Sequence, residues 1–280
     1  MSLARADRTR LRDTLLAEAR RRTLIMGILN VTPDSFSDGG RFDEAGAALA
    51  HADAMVAAGA DILDVGGEST RPGATPVSEA DELSRTVAVV EALAAPGRVP
   101  VSIDTYKSGV ARAACEAGAV IVNDVTAMSD PEIAGAAADA GAAYVLTYHR
   151  GVKDEALDAG RDMLRFFEEA VHRCEAEGLK RDHVILDPGV GFAKTYEQNF
   201  QVLAAAGDLV GLGLPVLIGV SRKSFIGKRL GIETAAERDT ASVAVGLDSV
   251  RRGAHMLRVH DVAAHRAALD LWETIDNAAH

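Results

Sequence analysis

The stretch LIMGILNVTPDSFSDGG, Leu24 to Gly40, joins a run of apolar residues directly to a polar loop. The run from Leu24 to Leu29 shows no polar alternation, as expected for a strand that is buried on both faces. It ends at Asn30, and the residues that follow include Pro33, two Asp, two Ser and a Gly pair. A buried strand that opens into a long polar loop predicts a ligand site at the end of that strand.

The same unit recurs along the chain. Further apolar runs of strand length begin at residues 61, 99, 119, 142, 183, 214 and 255, and they alternate with amphipathic segments at 43–58, 78–95, 107–117, 131–140, 161–177, 196–206, 236–252 and 262–278. Buried strands that are joined by helices form parallel sheets. Eight such units in about 250 residues predict an α/β fold, a (β/α)8 TIM barrel in a single domain. A doubly wound sheet is the alternative, but the first loop lacks the G-x-G-x-x-G pattern of that fold.

Residues 1–23 lie outside this repeat and read as an N-terminal helical extension that closes the bottom of the barrel, which itself spans residues 24–280. The net charge of −11 argues against a nucleic-acid partner or an anionic membrane surface. No apolar stretch is long enough for a membrane span and no signal peptide is visible, so the expected location is cytoplasmic. Cys115 and Cys174 are expected to be buried free thiols, and the His residues fit no zinc signature.

A barrel places its chemistry at the carboxyl ends of its strands. Every predicted strand of this chain ends in polar residues: Asn30, the loop 66–74, Asp104, Asn123 with Asp124, His149 with Arg150, Asp187, Ser221 to Lys223, and Arg258 with His260. These side chains are expected to meet at one mouth.

Each strand-end residue also has a simpler interpretation as a helix cap or a turn residue. Asp104 or Thr105 could cap the helix from Lys107, Ser221 the helix at Phe225, and Asp261 the last helix. Capping does not account for Lys223 or Arg258, because a cation at a helix start opposes the helix dipole. These two side chains call for an anion or a hydrogen-bond acceptor.

The expected chemistry is recognition of a flat polar ring next to an anion. Asp104 and Asp187 can accept N–H bonds from a guanidine-like edge, while Asn123 and Lys223 supply an amide and an ammonium donor. A 2-amino-4-oxo-pyrimidine ring fits this set. Arg258 could stack on such a ring while its fork reaches an anion. His260 would bind phosphate oxygens, and Asn30 offers one oxygen to Mg²⁺.

The motifs MGILNVTPDSFSDGG, DVGGESTRPGA, SIDTYK, IVNDV, LDPGVGFAK, GVSRKSF and LRVHDV resemble, in this order and spacing, those of the dihydropteroate synthases. The resemblance covers nearly the whole chain from Leu24 onward. It implies a transferase that condenses 6-hydroxymethyl-7,8-dihydropterin pyrophosphate with p-aminobenzoate, in a homodimeric barrel that uses Mg²⁺ and is a target of sulfonamides.

The resemblance also implies roles for particular residues. A pterin pocket falls on Asp104, Asn123, Asp187, Gly191, Lys223 and Arg258. Contacts to pyrophosphate and Mg²⁺ fall on Asn30, Arg258 and His260, with Asn30 as the metal ligand. A pocket for p-aminobenzoate falls on Thr70, Arg71, Pro72, Phe192, Ser221 and Lys223. The catalytic set expected from this match is Asn30, Asp104, Asp187, Lys223, Arg258 and His260.

One strand end departs from the resemblance. Members of the family commonly have Met-His where this chain has Thr147 and Tyr148, so the role of the fifth strand end is left open. The alternatives to a synthase are a pterin-binding methyltransferase and an inactive pterin-binding barrel. The first would not need the loop that begins at Asn30 or the pair Thr70-Arg71, and the second would be expected to carry lesions in these loops.

Overall fold

A computed structural model describes residues 4–32, 41–69, 74–95 and 99–278. The sheet consists of β1 Leu24–Asn30, β2 Ile62–Gly66, β3 Val101–Asp104, β4 Ile121–Asp124, β5 Ala143–Thr147, β6 Val184–Asp187, β7 Leu217–Ile218 and β8 Met256–Val259. All of the paired strands are parallel, in the order β6-β5-β4-β3-β2-β1-β8-β7. The predicted (β/α)8 barrel is confirmed.

The barrel closes between β6 and β7 through a minimal contact. A single parallel bridge joins Leu186 to Val216, and the Leu186 N–H donates to the Pro215 carbonyl at 2.8 Å. The run from residue 214 predicts a longer strand than the two residues of β7. Pro215 has no N–H to contribute to a ladder, which shortens the paired segment on this side.

The helices lie around the strands. They are α1 Arg5–Ala19, α2 Arg41–Ala57, α3 Glu79–Leu93, α4 Ser108–Ala117, α5 Ile133–Ala140, α6 Ala159–Ala176, α7 Tyr196–Ala204, α8 Ala206–Val210, α9 Ser224–Leu230, α10 Asp239–Arg251 and α11 Val262–Asn277. The segment 196–206 is divided between α7 and the start of α8, and a short 3-10 helix precedes α10. Among the described helices, none combines the length and the apolarity of a membrane span.

The interior of the barrel is a separate apolar cluster that reaches down to α1. Leu15, Leu16 and Ala19 of this helix are buried with residues at the starts of the strands, which include Leu24, Ile62, Ile121, Ala143, Leu217 and Met256. The N-terminal helix thus closes the bottom of the barrel, as expected from the sequence, while the division of the chain at residue 24 stays a prediction. Cys115 and Cys174 are buried free thiols, as predicted.

Candidate functional site

Four neighbouring strands place polar groups at one level of the mouth. In the ladder Asn30 pairs with Gly66, Gly66 with Asp104, and Asp104 with Asn123. Gly66 keeps the space between its neighbours open, because a Cβ atom there would lie 3.7 Å from both Asn30 Oδ1 and Asp104 Oδ2. The parallel register therefore gathers oxygen atoms of three strands above the apolar interior.

Arg258 of β8 bridges two buried carboxylates. Its Nε donates to Asp64 Oδ2 and its Nη2 to Asp104 Oδ2, each at 2.6 Å. Asn123 Nδ2 also donates to Asp64 Oδ2, at 3.0 Å. The fork of Arg258, which the sequence suggested would reach an anion, is thus occupied by carboxylates. The reason is that Asp64, inside the apolar run of β2, points into the barrel and is fully buried.

The pKa values of this group reflect burial and the shared guanidinium. Burial raises the pKa of Asp104 to about 7, although Arg258 opposes the shift. Burial acts to lower the pKa of Arg258, but the carboxylates of Asp64 and Asp104 outweigh it and raise that pKa. One cation serves two carboxylates, so the mouth holds an Arg that stays charged beside an Asp whose charge depends on pH.

Several buried oxygen atoms at the mouth have no hydrogen-bond partner within the described part of the chain. They are Asp64 Oδ1, Ser102 Oγ, Asp104 Oδ1, Asn123 Oδ1 and Thr147 Oγ1. Buried polar atoms in native proteins are nearly always paired, so a cluster of unpaired ones calls for a bound partner. A partner that presents N–H or O–H groups would satisfy these atoms.

Asp187 ends β6 and begins a loop that leads to Phe192. Its Oδ1 accepts the Gly189 N–H at 2.7 Å, which is the turn interaction suggested by Asp187-Pro188-Gly189. Gly189 has a φ of 64° and lies so close to β5 that a Cβ would be 2.2 Å from the Tyr148 carbonyl. Burial raises the pKa of Asp187, and the Gly189 N–H and Lys223 oppose the shift.

Lys223 reaches this loop from the other side of the mouth. Its Nζ lies 4.2 Å from the centroid of the Phe192 ring, in a cation–π contact, and a Cβ at Gly191 would meet its side chain at 3.1 Å. Lys223 also occupies the N-cap position of α9 without a side-chain cap bond. The structure thus brings Gly191, which the sequence assigns to the pterin pocket, close to Phe192, which it assigns to the p-aminobenzoate pocket. Lys223, which is assigned to both pockets, contacts both residues.

Ser221, His260 and Asp261 lie at the ends of β7 and β8. The Ser221 hydroxyl is buried and accepts the His260 N–H at 3.1 Å, so it joins the two strand ends. Asp261 caps α11 by accepting the Ala264 N–H at 3.0 Å, as the capping interpretation predicts. Thr105, not Asp104, accepts the Lys107 N–H before α4, which leaves Asp104 to the mouth.

A cleft of about 180 Å³ is lined by Glu68, Ser69, Tyr106, Val125, Thr126, His149 and Phe192. Its polar wall is fixed by ion pairs, because Lys107 Nζ contacts both Glu68 and Glu82, and the Tyr106 hydroxyl donates to Glu68 at 2.9 Å. The predicted residues Thr70, Arg71 and Pro72, and most of the first loop, lie outside the described residues.

Comparison with known proteins shows the family of this chain. A family model described as pterin binding enzyme matches residues 26–260. The chain is 46% identical to the dihydropteroate synthase of Bacillus subtilis (strain 168), over 87% of this chain and 85% of that protein. It is 43% identical to the dihydropteroate synthase of Escherichia coli (strain K12), over 85% and 86%. The chain belongs to the dihydropteroate synthase family.

Solved dihydropteroate synthase structures agree with this assignment. The enzyme of Xanthomonas albilineans with 4-aminobenzoic acid superposes with a TM-score of 0.87 at 45% identity, covering 91% of this chain and 93% of that one. The Yersinia pestis enzyme in a complex with a sulfonamide drug has a TM-score of 0.85 at 41% identity, covering 92% and 95%. The fold and the family predicted from the sequence are both confirmed.

Two residues of the mouth, Asp64 and Lys194, stand within the quoted motifs, but the sequence assigned no role to either of them. Asp64 has a visible signal, because it is a charged residue within the apolar run DILDVG. Lys194 has a weaker signal in the sequence, because a lysine in a loop is usually exposed. Its Nζ is buried and donates to the carbonyls of Tyr148 and Gly189 at 2.8 Å each and of Phe192 at 3.2 Å. Lys194 thus ties the loop after β6 to the end of β5.

Replacing Lys194 by Met should destabilise the protein in a manner that depends on pH. Burial lowers the pKa of Lys194 to about 7, with Asp187 opposing the shift. Between pH 7 and the ordinary lysine pKa the unfolded chain then binds more protons than the folded one, so the contribution of Lys194 to stability increases with pH. Relative to wild type, Lys194→Met should lose about 2 to 3 kcal/mol more at pH 9 than at pH 7.

Urea unfolding of both proteins from pH 6 to 9 measures this difference. Lys153→Met, on the surface of the loop after β5, serves as the control and should show no such trend. A difference between Lys194→Met and wild type that is constant over this range would contradict a lowered pKa for Lys194.

Proposed function

We propose that the protein acts as a dihydropteroate synthase of folate biosynthesis. It condenses 6-hydroxymethyl-7,8-dihydropterin pyrophosphate with p-aminobenzoate and releases 7,8-dihydropteroate and pyrophosphate. The observation that carries this proposal is the cluster of buried, unpaired oxygen atoms at the mouth of a barrel that is 46% identical to a named synthase. Structures of the Xanthomonas albilineans enzyme with 4-aminobenzoic acid and with 7,8-dihydropteroate support the same substrate pair.

The pterin ring would bind edge-on in the mouth. Asp187 would accept two N–H bonds from the 2-amino and ring N–H groups, and Asn123 and Asp104 would satisfy the opposite edge. Phe192 would provide an apolar face, held in place by Lys223, which is 4.2 Å from its ring. Arg258 bridges Asp64 and Asp104 and would also stabilise the negative charge of the departing pyrophosphate.

The reaction needs orientation and charge stabilisation more than covalent catalysis. The carbon–oxygen bond between the pterin methylene and pyrophosphate would break, and its electron pair would leave with the pyrophosphate. The amine of p-aminobenzoate would form the new carbon–nitrogen bond to the methylene and lose one proton to solvent. Arg258, whose Nη1 donates to neither Asp64 nor Asp104, would hold the departing anion together with His260. The amine pocket would be formed by Thr70, Arg71, Pro72, Phe192, Ser221 and Lys223. Sulfonamides would compete for that pocket, as the sulfonamide complex of the Yersinia pestis enzyme suggests.

The donor set at the end of β1 fits Mg²⁺. Asn30 Oδ1 lies beside the open position at Gly66, 3.7 Å from where a Cβ atom would stand, and a hard oxygen donor is what Mg²⁺ prefers. Asn30 would hold the ion together with oxygens of the pyrophosphate, and the ion would neutralise charge on the leaving group. Within the described residues no cluster of three His, Cys, Asp or Glu side chains could form a separate metal site.

The homodimer is a proposal that rests on the family resemblance, and the cytoplasmic location is a separate proposal. Light scattering coupled to size-exclusion chromatography tests the dimer. The reaction is tested by mixing the protein with dihydropterin pyrophosphate, p-aminobenzoate and Mg²⁺ and measuring the pyrophosphate released. Release that requires p-aminobenzoate supports the synthase. Pterin binding without release would favour an inactive barrel or a methyltransferase.

A further inference from the structure

The end of β5 carries a buried hydroxyl that the proposed mechanism does not use. Along this strand Ala143 and Val145 belong to the interior cluster, while Tyr144 and Leu146 belong to the outer one. Side chains alternate along a strand, so Thr147 points into the barrel. In the ladder it pairs with Asp187 of β6, which places the two residues side by side at the mouth.

The Thr147 hydroxyl has no partner of its own. The side chain is fully buried, and its Oγ1 makes no hydrogen bond within the described part of the chain. Its methyl group faces the loop after β6, since a Cβ at Gly189 would lie 3.0 Å from Thr147 Cγ2. A buried, unpaired hydroxyl is unfavourable, so a valine would suit the empty protein at least as well.

Tyr148, the next residue, cannot take this role because it points the other way. Its hydroxyl donates to Asp162 at 2.7 Å, and its ring packs edge-on against Phe166 with centroids 5.2 Å apart. Of the pair Thr147 and Tyr148, it is therefore Thr147 whose side chain points into the barrel. Thr147 pairs with Asp187 in the ladder, and its hydroxyl is one of the buried oxygens without a partner among the described residues.

We propose that Thr147 is a further substrate-binding residue, whose hydroxyl forms a hydrogen bond with the polar edge of the heteroaromatic ring that Asp187 holds. The inference deepens the proposed function and rests on it. A hydroxyl can donate to a ring carbonyl or nitrogen and can accept an amine proton, so it complements Asp187, which only accepts when ionised. Thr147 therefore helps to select a ring that has both donors and acceptors on one edge.

The test replaces the hydroxyl without changing the shape of the side chain. We expect Thr147→Val to raise the Kd for 6-hydroxymethylpterin, measured by calorimetry, about fivefold to tenfold, the equivalent of one neutral hydrogen bond. The melting temperature of the ligand-free variant should be unchanged or higher, because an unpaired buried hydroxyl has been removed. Thr147→Ser keeps the hydroxyl and should bind the pterin within about twofold of wild type.

A matched control is Thr86→Val on α3, where the buried hydroxyl donates to the Glu82 carbonyl at 2.8 Å. This variant should melt at a lower temperature and bind the pterin normally. An unchanged Kd for Thr147→Val would overturn the proposal and indicate that a buried water satisfies the hydroxyl. If wild type itself fails to bind the pterin, the proposed function fails as well, so the two outcomes are distinct.

Discussion

Arg258→Met should unfold far more easily than wild type at pH 8, with a loss of about 3 to 5 kcal/mol in the free energy of unfolding. The guanidinium is the partner of two carboxylates, Asp64 and Asp104, whose side chains are 0% and 4% exposed. Without it both buried carboxylates lose the cation that pairs with them, and this loss costs more than the net contribution of the ion pair to stability. Enzyme activity should be lost together with stability.

The penalty should decrease as the pH falls. Burial already raises the pKa of Asp104 to about 7 in the presence of Arg258, and removing this cation raises it further. Between the ordinary carboxyl pKa and the raised one, the folded state binds more protons than the unfolded state, so stability falls as the pH rises. At pH 5 Asp104 would be protonated in the folded variant, and the loss should be smaller than at pH 8.

Urea unfolding at pH 5 and pH 8 measures both effects. Arg258→Lys gives a control for charge alone, because an ammonium cannot place two donors as the planar fork does, and it should recover only part of the stability. Arg258→Met combined with Asp104→Asn should also recover part of it at pH 8. Equal losses for Arg258→Met at the two pH values would show that the carboxylates are not what the arginine stabilises.

Most of the fold could be predicted because each strand and each helix has its own local pattern of apolar residues. Apolar runs without alternation mark strands that are buried on both faces, and the amphipathic segments between them mark helices that return over the sheet. The run at residue 214 was predicted less well, because Pro215 interrupts a ladder in a way that depends on the neighbouring strand. Periodicity indicates that a strand exists and says little about how many of its residues are paired.

The residues of the site were predicted from the ends of the strands. The contacts that the prediction missed join distant parts of the chain. Asp104, Asn123 and Asp187 reach the mouth because parallel strands end on the same side. The contact between Arg258 and Asp64 was not predictable from a local pattern, because the two residues are 194 positions apart in the chain. They come together because β1 pairs with both of their strands, β2 and β8, in the sheet. The contacts of Lys194 were not predictable for a similar reason, because its three carbonyl partners come from two loops.

The geometry of Asp187 predicts a substitution that weakens ligand binding without lowering the stability of the free protein. One oxygen, Oδ1, accepts the Gly189 N–H, while Oδ2 lies on the side of Gly219, where a Cβ would be 3.9 Å from it. In Asp187→Asn the amide oxygen can keep the bond to Gly189, so the NH₂ group is turned toward the ring. Two N–H donors of the pterin would then face a donor instead of a carboxylate.

Asp187→Asn should therefore weaken pterin binding about 100-fold or more, because hydrogen bonds to a charged group contribute about 1.5 to 3 kcal/mol each. The stability of the free protein should stay the same or increase near neutral pH. Burial raises the pKa of Asp187, so its ionised form destabilises the empty protein as the pH rises, and the neutral amide avoids this cost.

Calorimetry with 6-hydroxymethylpterin and urea unfolding at pH 7 measure the two quantities, with Asp182→Asn on the nearby surface as the control. If stability falls in proportion to binding, Asp187 holds the loop at Gly189 and not the ligand. If binding alone is lost, the carboxylate of Asp187 is a group that the barrel keeps buried for its substrate, although its burial lowers the stability of the empty protein.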